Sequence, residues 1–91
     1  PDFETHALFE NGILRWSLKD ENVRNLNGTV TARLVRPIKD GHDFEITLKP
    51  VMTGLYQSEL NLPVKGRWDA LLKIQWDDNK QYQTRFSFVA K

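Results

Sequence analysis

The side chains in this 91-residue chain that are best suited to metal binding are His6, His42 and the single methionine, Met52. Imidazole nitrogen and thioether sulfur are both copper ligands, and His6 also has Asp2 and Glu4 close by in the sequence. The histidines lack a His-x-x-x-His spacing, and copper sites that use thioethers usually contain several of them. His6, His42 and Met52 are therefore the candidate metal ligands. The alternatives are an exposed loop position for His42 and a packing role for Met52.

Side chains for acid–base or nucleophilic chemistry are present, but not in catalytic arrangements. Two carboxylate pairs, Asp20-Glu21 and Asp77-Asp78, lie in predicted turns, where Asp usually bonds to local backbone. A general acid–base pair needs a cleft that separates the two pKa values. The serines lie in predicted strands without a Gly-x-Ser-x-Gly turn, and there is no glycine-rich phosphate loop. Because cysteine is absent, thiol catalysis and disulfides are excluded. We expect no enzymatic activity and no bound cofactor.

The elements that would position these residues are short strands separated by turn-forming residues. Hydrophobic and polar residues alternate between the turns, and no segment has helical periodicity. Such alternation is typical of antiparallel strands with one face in water. The sequence therefore predicts an all-β antiparallel sandwich of about seven strands in a single domain, residues 1–91. The predicted strands are 6–10, 13–19, 29–36, 43–49, 55–62, 67–76 and 81–90.

The alternation also assigns one side of each strand to the core. Two stacked sheets would combine these inward side chains into one core. The predicted inward residues are Leu14, Trp16, Leu18, Val30, Ala32, Leu34, Phe44, Ile46, Leu48, Tyr56, Leu60, Leu62, Trp68, Ala70, Leu72, Ile74, Trp76, Tyr82, Phe86, Phe88 and Ala90.

The register of the last hairpin is predicted from the rule that directly opposed residues share a face. A two-residue turn would place Trp76 opposite the polar Gln81. A three-residue loop, 78–80, places Trp76 opposite Tyr82 instead. We therefore predict the second register, with Asn79 or Lys80 in the left-handed conformation.

Composition and charge limit the classes of partner. The chain has 13 Lys and Arg against 12 Asp and Glu, a net charge of +1. Such a balance argues against binding nucleic acid or a membrane through bulk charge. The predicted outer faces carry Arg67, Lys73 and Arg85 rather than aromatic residues. Leu71 also faces outward, and it would form a docking patch if the sheet order brought it together with the other outward apolar residues, Val35, Leu55 and Val89.

Six short motifs are spread over roughly residues 12 to 90. They are Arg36-Pro37, Asp40-Gly41-His42-Asp43, Gly54-Leu55-Tyr56, Leu60-x-Leu62-Pro63, Gly66-Arg67-Trp68-Asp69 and Thr84-Arg85-Phe86. Gly54 and Gly66 are predicted to have positive φ, while Tyr56 and Trp68 are predicted to fill the core. In this order and spacing the motifs resemble those of the FixH family of nitrogen-fixation and oxidase-assembly proteins.

The resemblance implies an immunoglobulin-like domain and an accessory role. FixH-like proteins have an N-terminal transmembrane helix followed by a domain outside the bacterial cytoplasmic membrane. They are encoded beside a copper-transporting P-type ATPase and take part in assembling a high-affinity haem–copper cytochrome oxidase. The expected partners are therefore membrane proteins of that system, and the expected location is the periplasmic side. No metal ligand can be carried over from the motifs.

The membrane helix of the family has no counterpart in this sequence, which contains no long apolar run and no signal peptide. The chain begins at Pro1 without an initiator methionine, so we expect that an anchoring helix precedes it in a longer protein. Two alternative functions remain open. One is a copper-binding chaperone-like module that uses His6, His42 and Met52, and the other is a generic adhesive or ligand-binding sandwich with exposed aromatic residues.

Overall fold

The computed structural model describes residues 4–19, 28–38, 41–76 and 80–91. Every regular element in these residues is a β-strand, and all the strand pairs are antiparallel. The strands are β1 (Glu4–Glu10), β2 (Ile13–Lys19), β3 (Thr29–Val35), β4 (Phe44–Met52), β5 (Leu55–Glu59), β6 (Gly66–Trp76) and β7 (Lys80–Ala90).

The strand order is β1-β2-β5-β4-β3-β6-β7. Strands β1, β2, β5 and the end of β4 form what we call the first sheet, and the start of β4 with β3, β6 and β7 forms the second sheet. In the lettering used for immunoglobulin domains this order corresponds to sheets ABED and CFG. The prediction of an all-β, immunoglobulin-like antiparallel sandwich of about seven strands is confirmed.

Strand β4 connects the two sheets into one nearly closed sheet. Its first part, 44–48, pairs with β3, and its last part, 49–52, pairs with β5. The register shifts between Pro50 and Met52, where Pro50 has no backbone N–H to donate. Strand β4 changes partner between Leu48 and Lys49, before this irregularity, so the bulge bends the part of the strand that already pairs with β5.

The core lies between the two sheets and contains the side chains that alternation placed inward. Trp16, Trp68 and Tyr56 are its largest fully buried members. Aromatic contacts cross from the first sheet to the second: the ring centres of Phe9 and Phe88 are 4.9 Å apart. Five of the eight predicted inward aromatic residues, including the three of β7, are only partly buried because they lie at the open margins of the sandwich.

The strand ends differ from the predicted ones by a few residues. Strand β1 begins at Glu4 rather than at residue 6, and β4 continues to Met52 rather than ending at 49. Strand β5 ends at Glu59, although Leu60 is still buried. The predicted positive φ values are confirmed, at +81° for Gly54 and +108° for Gly66.

The predicted register of the last hairpin is wrong by two residues. Trp76 is opposite Lys80 rather than Tyr82, and Tyr82 is opposite Ile74. Lys80 begins β7 and does not have a positive φ, while Asn79 lies outside the described residues. A shift of two residues keeps every side chain on the same face, so alternation cannot distinguish these two registers. The observed one places Phe88 beside the fully buried Trp68.

Candidate functional site

Arg36 connects two of the motif segments at one end of the sandwich. Its backbone N–H donates to Asp43 Oδ1 (3.1 Å), and its Nη1 donates to the carbonyl oxygens of Lys65 (3.1 Å) and Arg67 (3.0 Å). The guanidinium carbon lies 5.3 Å from the centre of the Trp68 ring, which is a cation–π distance. We call this group of contacts, including Gly66, the Arg36 cluster.

Gly66 lies where the Arg36 cluster leaves little room for a side chain. Its φ of +108° is one that residues other than glycine rarely adopt, and a Cβ there would lie 3.2 Å from Arg36 Nη1. The neighbouring Trp68 is fixed by a hydrogen bond from Nε1 to Val64 O (3.0 Å) and by an edge contact with Phe44, whose ring centre is 5.8 Å away. The glycine of the Gly-x-Trp motif therefore leaves room for the guanidinium, and the tryptophan, itself a core residue, supplies the ring beside which the guanidinium lies.

The sequence identified the two segments of this cluster but not their contact. Arg36-Pro37 and Gly66-Arg67-Trp68-Asp69 stand out in the sequence as separate motifs, with about 30 residues between them. One signal in the sequence could have joined them, and it is the positive φ predicted for Gly66. A glycine at this position leaves the backbone carbonyl oxygens beside it unhindered, and the five N–H donors of a guanidinium can bind such oxygens.

Asp69 is an outward-facing residue of β6 that is nevertheless buried. It lies on the outer face, as the alternation indicates, but it is only 8% exposed. Ser87 Oγ donates a 2.6 Å hydrogen bond to Asp69 Oδ1, and Arg67 Nε lies 3.8 Å from the same oxygen. Because a buried carboxylate needs hydrogen-bond donors, Ser87 stabilises β7 against β6.

The candidate metal ligands are on the surface and far apart. His6 is exposed on β1 and Met52, at 64% exposure, is at the end of β4. His6 and Met52 lie in the same cross-strand row, with Ser17 and Leu55 between them. Their backbones are therefore three strand spacings apart, which is about 14 Å. His42 precedes the other end of β4, roughly 27 Å along that strand from Met52.

These separations prevent the three residues from binding one ion together. Ligand atoms of a single ion lie within about 4 Å of each other, given bond lengths near 2 Å. Among the described residues there is no group of three or more His, Cys, Asp or Glu side chains that could hold a metal. Metal binding at His6, His42 or Met52 individually stays a prediction.

The other candidate chemistry is also distributed over the surface. Ser17 lies directly opposite His6. In the described part of the chain no hydrogen bond joins them, so they do not form a nucleophile–base pair. Ser58 donates to the backbone of Glu59 (2.9 Å). Both carboxylate pairs of the sequence analysis, at 20–21 and 77–78, lie outside the described residues.

The sheet order does not assemble the outward apolar residues into one patch. Leu55 is on the first sheet, whereas Val35, Leu71 and Val89 are on the second sheet in three different cross-strand rows. Val89, 60% exposed, borders a groove of about 650 Å³ at the end of the sandwich near the Arg36 cluster. Apolar and charged side chains line this groove together: Phe9, Leu60, Leu62, Val64 and Ala90 with Glu10, Lys65 and Lys91.

Comparison with known proteins gives one match. A family model described as FixH matches residues 9–87, which is most of the chain. No curated protein and no solved structure matches significantly. In the described residues, no helix has the length and apolar character needed to cross a membrane.

Proposed function

The chain belongs to the FixH family, and from this membership we propose that it is an accessory protein in the assembly of a haem–copper cytochrome oxidase. FixH is a family of accessory proteins rather than of known enzymes. The observation that supports the proposal is that the family match covers residues 9–87, which includes all of the Arg36 cluster. In this role the domain contributes binding surfaces rather than catalytic groups.

The finer proposal is that the domain is anchored to the cytoplasmic membrane of a bacterium, lies on its periplasmic side and acts with a copper-transporting P-type ATPase. Strand β1 begins at Glu4, at the end of the sandwich that also contains the turn between β4 and β5. A membrane helix preceding the chain would therefore be close to that end. The Arg36 cluster and the groove bordered by Val89 would lie at the opposite end of the sandwich, away from the membrane.

A gene deletion tests the accessory role. Deleting the parent gene should reduce the activity of the haem–copper oxidase in membranes, and a plasmid copy of the gene should restore it. A copy that lacks the codons of this domain but keeps the upstream region is the matched control, and it should not restore activity. Oxidase activity at the wild-type level in the deletion strain would contradict the proposed function.

The proposed location has a separate test. The reading frame before Pro1 should encode an apolar segment of about 20 residues, and added protease should cleave the domain in spheroplasts with an intact inner membrane. A cytoplasmic protein monitored in the same sample is the control. Protection of the domain until the membrane is lysed would contradict the periplasmic location.

Copper binding is the second candidate function, supported only by the residue types of His6, His42 and Met52. Since the structure separates them, each would bind independently, and any binding should be weak. Titration with Cu(I) and Cu(II) of the wild-type chain and of the His6→Ala, His42→Ala and Met52→Leu variants tests this. A tight one-to-one complex that is abolished by each of these substitutions alone would favour a function as a copper chaperone.

An adhesive or ligand-binding sandwich requires exposed aromatic residues. Trp16 and Trp68 are completely buried, and Trp76 is half-buried at the margin of the sandwich. Iodide, which quenches only accessible indoles, should therefore quench a minor part of the tryptophan fluorescence. Strong quenching of most of the emission would favour this third function.

A further inference from the structure

The outer face of the second sheet carries a groove of about 520 Å³ whose charged side chains are mostly cationic. We call it the cationic groove. Its central row runs across four strands: Glu45, Arg33, Leu71 and Arg85 are successive cross-strand partners. Lys73 is two residues beyond Leu71 on β6, so it projects from the same face. Three cations and one carboxylate therefore line this groove.

The cations of the groove have no anionic partners within the described part of the chain. Arg33 and Glu45 are directly opposed, but no ion pair joins their charged groups, and none joins Lys73 or Arg85 to another described residue. Other arginines of the molecule are bound internally: Arg36 by two carbonyls and Arg15 by Gln57 Oε1 (3.1 Å). Like charges that are held close together without partners repel each other, and an anionic ligand would relieve that repulsion.

Leu71 gives the groove an apolar centre between two arginines. It is half-buried, with Arg33 on one side and Arg85 on the other. Two strand spacings separate these arginines, which is about 10 Å between their backbones. In an extended peptide, alternate side chains on one face are about 7 Å apart. Carboxylates at positions i and i+4, with an apolar residue at i+2, would span about 13 Å, which flexible arginine side chains can match.

From this arrangement we infer that the cationic groove binds an extended acidic segment of a protein partner, with carboxylates on Arg33 and Arg85 and an apolar side chain on Leu71. A concave surface fits a polypeptide chain better than a planar bilayer, and the apolar centre suits a side chain rather than a phosphate. This inference gives the proposed accessory role a partner-binding surface. Its biological meaning rests on that role, but the binding of an acidic segment does not.

The probe for this binding is the synthetic peptide acetyl-SESLSES-amide, and the matched control peptide is acetyl-SQSLSQS-amide. Titration of the isotopically labelled chain should shift the backbone amide NMR signals of the central row and of Lys73. The acidic peptide should bind about tenfold or more tightly than its glutamine counterpart, because two ion pairs are lost in the latter. Raising NaCl from about 20 to about 300 mM should weaken the binding, since salt screens exposed charges.

Substitutions then locate the binding. The double variant Arg33→Gln with Arg85→Gln should lose about tenfold in affinity, whereas Lys49→Gln should bind normally, because Lys49 is an exposed cation of β4 outside the groove. Leu71→Ala should weaken the binding of the leucine peptide more than that of a peptide with serine in its place. Dispersed NMR spectra establish that each variant is folded.

Several results would overturn the inference. They are the absence of shifts with the acidic peptide, shifts that map elsewhere, and equal affinity of the double variant and Lys49→Gln. Binding to phosphatidylglycerol vesicles without binding to the peptide would also overturn it, because the ligand would then be lipid. Peptide binding is measured on the purified chain, so its failure is distinguishable from a deletion strain with normal oxidase activity, which contradicts the proposed function alone.

Discussion

At the scale of the residue, Arg36 and Gly66 depend on each other. A Cβ on residue 66 would lie only 3.2 Å from Arg36 Nη1, and the guanidinium donates to the carbonyls on either side of that glycine, at Lys65 and Arg67. The Arg-Pro and Gly-x-Trp motifs of the sequence are therefore two halves of one contact. This contact holds the loop before β6 against the end of β3.

Replacing Gly66 by alanine should destabilise the protein more than replacing Gly12 does. Both have positive φ, so alanine is strained at either position: by about 1–2 kcal/mol at Gly12 (+77°) and by at least as much at Gly66 (+108°), which lies farther from the left-handed helical region. Only at Gly66 must the new Cβ also displace Arg36, which should add about 1 kcal/mol for the weakened hydrogen bonds. Urea unfolding of both variants measures the difference.

The same pair of substitutions in an Arg36→Ala background is the control for that prediction. Without the guanidinium the added methyl group meets no obstacle, so the excess cost of Gly66→Ala should shrink. An unchanged excess would show that backbone strain alone makes residue 66 a glycine.

Trp16 and Trp68 are a matched pair that differ in one hydrogen bond. Both are fully buried, but Trp68 Nε1 donates to Val64 O, whereas Trp16 Nε1 has no hydrogen-bond partner among the described residues. Replacing either tryptophan by phenylalanine removes the same side-chain volume. Because only Trp68→Phe also breaks a hydrogen bond, it should lower the free energy of unfolding by about 1 kcal/mol more than Trp16→Phe. Equal losses in urea unfolding would contradict this account of the two indoles.

At the scale of the element, β4 decides how the sandwich is joined. The strand pairs with β3 over 44–48 and with β5 over 49–52, and Pro50 lies at the irregularity between Pro50 and Met52. Strands β1 and β7 are left at the two ends of the order, so each has a described partner along one edge only. The outer edges of β1 and β7 therefore have backbone groups that depend on water for their hydrogen bonds.

Hydrogen exchange should reveal this difference between inner and edge strands. Strand β6 pairs with β3 on one side and β7 on the other, so its central amides should all exchange slowly. In β7 only alternate amides point to β6, and the ones between them should exchange much faster. Uniform protection along β7 in NMR-detected exchange would mean that another strand covers its outer edge.

At the scale of the whole molecule, both sheets share one core. Phe9 of β1 contacts Phe88 of β7, and Trp16 of β2 stacks on Tyr82 with ring centres 6.5 Å apart. Neither sheet can keep its inward side chains buried without the other. A domain of this size with a single core is expected to unfold cooperatively.

Residue-resolved NMR during urea unfolding tests the shared core. Signals from β1, β2 and β5 should disappear at the same midpoint as signals from β3, β6 and β7, because separating the sheets exposes the core of both. Two clearly separated midpoints would show that one sheet remains folded alone, and that the contacts between the sheets contribute little.

The sequence was sufficient for properties that depend on nearest neighbours along the chain. Period-two alternation placed every predicted inward residue, from Leu14 to Ala90, on the inner face, and the Asn11-Gly12 and Thr53-Gly54 turns are where the chain reverses. Alternation fixes which face a residue belongs to because successive side chains on a strand point in opposite directions.

Pairing between strands was decided by the tertiary structure. The register of β6 with β7 differs from the prediction by two residues, and the pattern on each face is the same in both registers. The separation of His6, His42 and Met52, the contact of Arg36 with Trp68, and the assembly of Arg33, Leu71 and Arg85 into one row all depend on which strands are neighbours. Strand order results from packing both sheets around one core, and no local sequence pattern carries that information.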